Sequence, residues 1–450
     1  MIRAAVLFVQ ITVLVFISVW LANEPGTVTI QWRDWRIEPP IGVMVLIVLI
    51  LALATALAYR VWRYLRKAPT RFLTNRRANR ERKGYRELAE GMVSLAEGDA
   101  QNAMRHARRA DALLGPGPAG HLLIAQAAAL EGKTLLAKEH FEAMQEDGAS
   151  TVAGMRGLLE QALAADDKAE ALRLAEKIRM QKPDAVWVLP HLFDLQVAAL
   201  DWPSADATIT AAIRRHVMPS EEGKHKRALV LFQRGRAALE LGDEEAALGF
   251  LREANDLDPG LARVAVEYAE LLKSAGKKRR ALRVLEQNWT RTHHPEAARA
   301  YVSFSASDSS VERLKAMQKL AAHEQGGTDG LLLLAEYALE ARLWGEARRH
   351  LEMIFRDQPT AAAYRLMAAL EIEENEDEDA AARWRAKVMQ AIPDKVWTCS
   401  ACNTIADRWA VNCPNCGTFD RLSWAVGPAA LPAAQLPGME SIPRLQKPET

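Results

Sequence analysis

GYRELAEGMVSLAEGDAQNAMRHARRADALL, residues 84–114, states once a pattern that the chain then repeats. Ala103 near its middle recurs as Ala137, Ala171 and Ala205, 34 residues apart each time, and the same phase continues at Ala247, Ala281, Ala347 and Ala380. Numbering each of these alanines as position 20 of a unit, turn positions 15 and 16 read Gly98-Asp99, Gly132-Lys133, Asp166-Asp167, Leu200-Asp201, Gly242-Asp243 and Gly276-Lys277. Glycine suits a chain reversal between helices because it alone takes left-handed backbone angles without strain. Position 8, where two helices approach closely, is Gly91, Ala125, Leu159, Phe193, Gly235, Ala269 and Ala335. Pro183, Pro259 and Pro359 at position 32 stop the second helix, since proline cannot continue one. The unit is therefore a helix-turn-helix.

A period of this length, with small residues where helices meet, is that of the tetratricopeptide repeat, whose units stack into a solenoid that holds protein partners. Two steps depart from the period. Ala205 to Ala247 is 42 residues, which predicts a longer loop in the Val217-to-His225 stretch; Ala281 to Ala347 is 66, which places a divergent repeat around Tyr301 to Glu324. About nine repeats are expected over residues 81–395.

Towards the amino end, Ala4 to Leu21 is apolar apart from Gln10, Thr12 and Ser18, and Ile41 to Tyr59 carries no charge at all. Both are long enough to span a bilayer. A signal peptide is the alternative for the first, but only Arg3 precedes it and the site near Ala22 is a poor cleavage match. After Tyr59, residues 60–83 hold ten Lys or Arg against Glu81 alone, whereas the loop 22–40 has two Arg and three acids. The positive-inside rule places that loop outside and everything after Tyr59 in the cytoplasm. Within the loop, TVTIQWRDWRI (Thr27 to Ile37) reads as a short hairpin bending at Arg33-Asp34, with Trp32 and Trp35 suited to the headgroup layer.

The four cysteines lie in one window, Cys399-Ser-Ala-Cys402 and Cys413-Pro-Asn-Cys416-Gly417. Two C-x-x-C knuckles bring four thiolates to the corners of a tetrahedron, a donor set for zinc, with iron as the alternative. Disulfides are disfavoured in a reducing cytoplasm, and no thioredoxin-like βαβ pattern supports a redox pair. Four Cys leave no open coordination position, so the metal role is structural. The module, residues 396–424, is too small to fold on apolar burial alone and needs the metal. Trp397, Trp409, Phe419 and Trp424 are expected to cover the site or dock it on the last repeat, and the repeats to respond little to its loss. Residues 425–450, rich in Pro and Ala, read as a disordered tail.

Other signals are set aside. Gly115-Pro-Gly117-Pro-Ala-Gly120 matches G-x-G-x-x-G, but it follows a helix and its prolines remove two of the N–H groups a pyrophosphate needs, so it is an inter-repeat turn. The ten histidines are scattered, and the acidic run Glu371 to Asp379 reads as a solvated turn. A net charge of +1 argues against a nucleic-acid binder. No nucleophile–base constellation is visible, so no enzyme is expected.

Taken together, GTVTIQWRDWRIEPPIGVMVLIVLILAL (Gly26 to Leu53), the segment Gly84 to Leu114 and the terminal WTCSACNTIADRWAVNCPNCGTFDRLSW resemble the HemY family of bacterial inner-membrane tetratricopeptide proteins, the last segment being similar to the zinc ribbon of alphaproteobacterial members. The resemblance implies a role in late protohaem biosynthesis and partners among membrane-associated enzymes of that pathway. It does not extend to the flavin-dependent oxidase of the same name, because no dinucleotide-binding unit exists here. Covalent haem attachment is excluded, since Asn403 and Gly417 rather than His follow Cys402 and Cys416; non-covalent haem binding has no motif that designates a residue.

The expected architecture is all-α: a two-span membrane anchor with hairpin loop (1–59, loop 22–40), a basic juxtamembrane helix or linker (60–80), the solenoid (81–395), a rubredoxin-like metal ribbon (396–424) and the tail (425–450). The expected metal ligands are Cys399, Cys402, Cys413 and Cys416. Groove-facing positions 5, 9 or 12 of the repeats select Arg156, Glu160, Arg236, Glu270, Lys273 and Glu336 as partner-binding residues. The function expected is that of a membrane-anchored scaffold. The alternative is a regulator of lipopolysaccharide synthesis that recruits a membrane protease, from which the two spans and the hairpin loop depart.

Overall fold

The computed structural model describes residues 40–427 except 147, 149, 307, 323–326 and 358, with scattered positions between 12 and 37. Side chains of residues 64–75 are not among those described. The expected first span, Ala4 to Leu21, falls largely outside the described residues, and so does the tail from residue 428.

The chain divides into two compact units, residues 1–144 and 145–450. In the first, strands β1 (Ile30–Trp32) and β2 (Trp35–Ile37) pair antiparallel, Ile30 opposite Ile37 and Trp32 opposite Trp35, with Arg33 at φ 54° in the bend. One unbroken helix then runs Ile41–Ala96. Its segment Ile41–Arg63 is long and apolar enough to cross a membrane and is not packed against the rest of the protein. The basic stretch expected as a separate element is continuous with this span and with the first repeat helix. Ala100–Leu114 folds back on that helix, and a second pair, Pro118–Leu130 and Thr134–Ala143, follows. Between the pairs Gly115 (φ 88°) and Pro118 make the turn read from the sequence.

The second unit contains seven further helix pairs among the described residues: Thr151–Ala164 with Lys168–Gln181, Val188–Ala198 with Trp202–Arg214, Ser220–Glu240 with Glu244–Leu257, and Ala262–Ser274 with Lys278–Thr292. Pro295–Ser305 with Ser310–Ala321, Gly327–Glu340 with Trp344–Asp357 and Ala361–Asn375 with Glu378–Lys387 complete them. The turn chemistry is uniform. Position 15 is left-handed whether it is glycine or not: Gly98, Gly132, Asp166, Leu200, Gly242 and Gly276 all have positive φ. The aspartate after it caps the next helix, as Asp99, Asp167, Asp201 and Asp243 accept from the backbone N–H three residues on. The position-20 alanines are fully buried from Ala103 to Ala347, and a Cβ added at Gly91 would stand 2.5 Å from Leu123 Cδ2. These contacts leave no room for a larger side chain, which is why the period is written in small residues.

Two sequence expectations are corrected here. The eight extra residues after Ala205 do not lengthen a loop: they extend a first helix to 21 residues, Ser220–Glu240. Pro219 at the cap, Glu221 and Glu222 in the first turn, and the pairs Glu221–Lys224 and Glu222–Lys226 favour helix there. The acidic run is not wholly a solvated turn, because Glu371 is buried and, with Glu374, grips Arg348 from the preceding helix at 2.8 and 2.7 Å. That ion pair and the Asn375 amide hold the Glu371 carboxyl below its usual range.

After the last pair the chain forms a three-stranded antiparallel sheet, β3 (Lys395–Cys399), β4 (Ile405–Ala406) and β5 (Leu422–Val426), in the order β4-β3-β5.

Candidate metal centre and the face it packs on

The two knuckles are copies of one backbone motif. Cys399 and Cys413 accept through their carbonyls from the N–H of Asn403 and Gly417, and donate their own N–H to the carbonyls of Thr404 and Thr418. Asn403 (φ 55°) and Gly417 (φ 69°) occupy the left-handed corner, the two residue types that take it most readily. Each loop thereby aims two sulfurs at a common point.

The four cysteines are free thiols and their sulfurs lie within 4.8 Å of one another. Cys399 and Cys416 Sγ are 3.8 Å apart, Cys402 and Cys413 Sγ 3.7 Å. A tetrahedral ion with metal–sulfur bonds of about 2.3 Å sets sulfurs roughly 3.8 Å apart, whereas a disulfide needs about 2.05 Å. The donor set therefore fits a metal and not a cross-link. Hydrogen bonds from the Thr404 side chain and backbone, with Asn415, pull the Cys402 thiol down to about 5, and Thr418 likewise lowers Cys416. Burial pushes Cys399 up to about 11. Four thiolates this close would repel one another, a repulsion that a bound cation would offset.

The ribbon's own buried cluster is small, Cys399, Ala406, Cys413 and Leu422. Its aromatic side chains do not close over this cluster alone, nor do they rest on the last repeat. Phe419 meets Phe193 edge to face (centroids 5.7 Å), Trp409 meets Phe232 (5.6 Å), and Trp397 and Trp424 flank His294 (5.1 and 4.9 Å). Val411 joins the apolar core of the repeats. Phe193, Phe232 and His294 belong to the first helices, or their caps, of three different pairs. The expectation of docking on the last repeat is thus corrected: the last pair holds only the base of the ribbon, through Arg365 with Asp394 and the Ala361 N–H to the Ile392 carbonyl. The docked face is apolar, and packing a ribbon with four large aromatic side chains against it buries surface the ribbon cannot bury by itself.

Charge fixes the register. His225, in the extended part of helix Ser220–Glu240, lies between Asp258 (Nδ1 to Oδ2, 2.5 Å) and Asp420 of the ribbon (Nε2 to Oδ2, 3.1 Å). The two carboxylates raise its pKa to about 10 against the opposing effect of burial, and His225 in turn lowers that of Asp258. Lys395 reaches Asp329 at 2.7 Å. His294, buried between two indoles, is pushed down to about 4 by desolvation, and its Nδ1 accepts from the Glu296 N–H.

The six groove residues are not brought together. Arg156 and Glu160 pair with each other at 2.9 Å, and Arg156 lies over Trp187. Glu336 pairs with Arg299 of the neighbouring first helix at 3.1 Å, Lys273 sits over Phe304, burial raises the Glu270 carboxyl, and Arg236 is exposed. The contacts that Phe193, His225, Phe232, Asp258 and His294 make with the ribbon or its partners were not legible in the sequence, although the repeat phase marked Phe193 as a helix-packing position and the eight-residue excess carries His225.

Residues 26–132 match the family described as HemY protein N-terminus, so the family resemblance is shown over that segment. Over 99% of its length and 99% of the relative's, the chain is 26% identical to "Probable magnetosome protein Mms48" of Magnetospirillum gryphiswaldense. Among solved structures, a tetratricopeptide repeat protein from Parabacteroides merdae is similar at 15% identity, covering 56% of this chain and 93% of its own, with TM-score 0.26. The TPR2AB domain of yeast Sti1, solved with a pHSP90 partner, is similar at 14% identity over 68% and 98%, TM-score 0.25. The tetratricopeptide-like architecture is carried by the helix pairs themselves.

Proposed function

With residues 26–132 matching the HemY N-terminal family, we propose that this chain is a membrane-anchored scaffold whose repeats bind protein partners on the cytoplasmic side, in the service of late haem biosynthesis. The observation that carries the reading is the single helix Ile41–Ala96, which joins an apolar span to the first repeat pair without a break. Anything held by the repeats is thereby held near the bilayer, where apolar intermediates passing between enzymes gain from a high local concentration. Two spans and an inside-facing basic stretch complete the topology. Cys399, Cys402, Cys413 and Cys416 bind one metal ion, zinc by donor chemistry, in a closed structural site. The chain has no catalytic role in this reading. Arg156, Glu160, Arg236, Glu270, Lys273 and Glu336 are proposed as surface for partners.

A second reading rests on the full-length similarity to a protein whose name assigns it to the magnetosome: the scaffold would then serve assembly of a membrane compartment. In-cell crosslinking followed by mass spectrometry separates the two. Haem-pathway enzymes crosslinked to the repeats support the first reading, and their absence beside abundant compartment-building proteins refutes it. Protease added to spheroplasts should leave the repeats intact; cleavage within residues 100–390 from outside would overturn the topology.

A further inference from the structure

The ribbon covers apolar surface on the first helices of several repeats, and every element of that contact is tied to a metal ligand in sequence. Trp409 and Val411 lie in the loop closed between Cys402 and Cys413, and Phe419 and Asp420 follow Cys416 within four residues. Trp424 stands on β5, which pairs along β3 and so against Cys399, with Cys399 opposite Leu422. Two of the four buried residues in the ribbon's core are themselves cysteine ligands. With so little apolar surface of its own, the ribbon depends on its metal to hold these loops, and free loops would lose conformational entropy on docking that the folded ribbon has already lost.

We propose that the metal-loaded ribbon is an intramolecular ligand of the first-helix face, and that metal occupancy decides whether the face is covered or open to a partner. The inference rests on the metal reading above. The open face presents Phe193, Phe232 and the His225–Asp258 pair, which are buried or half-buried beneath the ribbon. A protein partner that takes its place carries an aromatic side chain beside a carboxylate, as Phe419-Asp420 does. Such a partner gains access when metal is lost, so the scaffold reports metal supply by exposing a binding surface.

The test is hydrogen exchange of the full chain in detergent, under reducing conditions, with metal content measured on the same samples. Chelation should speed exchange in segments 220–232 and 293–302 by roughly tenfold or more while segment 168–181 is unchanged. A Trp409→Ala, Asp420→Ala double variant, which keeps all four cysteines, should retain its metal and show the same opening. A chain that is metal-loaded as isolated, loses its metal to the chelator and keeps the face protected overturns the proposal and leaves the metal reading standing. A chain isolated without metal whose face is protected overturns both.

Discussion

His225 offers the sharpest quantitative test of ribbon docking. Its ring is held protonated between Asp258 and Asp420, with a folded pKa of about 10; an unfolded histidine titrates near about 6.5. A group whose pKa is raised by folding contributes fully below the unfolded value and loses its contribution as pH climbs to the folded one, so this stabilisation declines between about pH 6.5 and 10. Taken at face value the shift corresponds to about 5 kcal/mol. The His225 side chain is 33% exposed and its partners 25% and 31%, so water screens the cluster, and about 2 kcal/mol is the expected net contribution. The perturbation is His225→Gln, which keeps a polar side chain and removes the charge. Urea unfolding followed by tryptophan fluorescence reads it well, because Trp397, Trp409 and Trp424 all lie at the docked surface. The variant should be less stable by about 2 kcal/mol near pH 6, with the difference shrinking towards zero by about pH 10. Taking wild type minus variant cancels the titration of the thiols and lysines common to both. A difference that is constant from pH 6 to 10, or that grows with pH, refutes the clamp.

Three further outcomes are expected. Cys413→Ser should bring metal content below half an equivalent and make residues 396–424 sensitive to limited proteolysis, with stability lost in the repeats under the ribbon as well; unchanged metal content would refute the ligand set. Leu200→Gly should stabilise the chain by about 1 kcal/mol in thermal unfolding, since Leu200 is exposed and sits at φ 58° where its Cβ is strained; a loss of stability would show that the side chain makes contacts that matter. Ala247→Leu should destabilise by about 1–3 kcal/mol, because Ala247 has no exposed surface and its carbonyl lies 3.6 Å from where a Cβ on Gly235 would stand; a neutral result would contradict the close helix approach on which the 34-residue period depends.

Much of the fold is written locally. The turn Gly98-Asp99 determines both a left-handed corner and a helix cap within two residues, and Ala103 and its counterparts mark helix contacts because the hairpin brings residues about a dozen apart together. The two C-x-x-C loops are equally local: each closes on its own backbone hydrogen bonds, so spacing alone predicts how the sulfurs converge. The eight residues after Ala205 were legible as an insertion but not as helix, since helix there is sustained by ion pairs and by Gly223 packing tightly on Ile213. What the sequence could not disclose is where the ribbon rests. His225 and Asp420 are 195 positions apart, and no periodicity links them. Their meeting depends on how the repeats stack, how far a helix was extended, and how a metal-sized knot of four sulfurs turns Phe419 towards Phe193 and Trp409 towards Phe232. Local spacing determines elements and the convergence of the four sulfurs; the docking of one finished element on another is decided by the summed shape and charge of surfaces that exist only once both have folded.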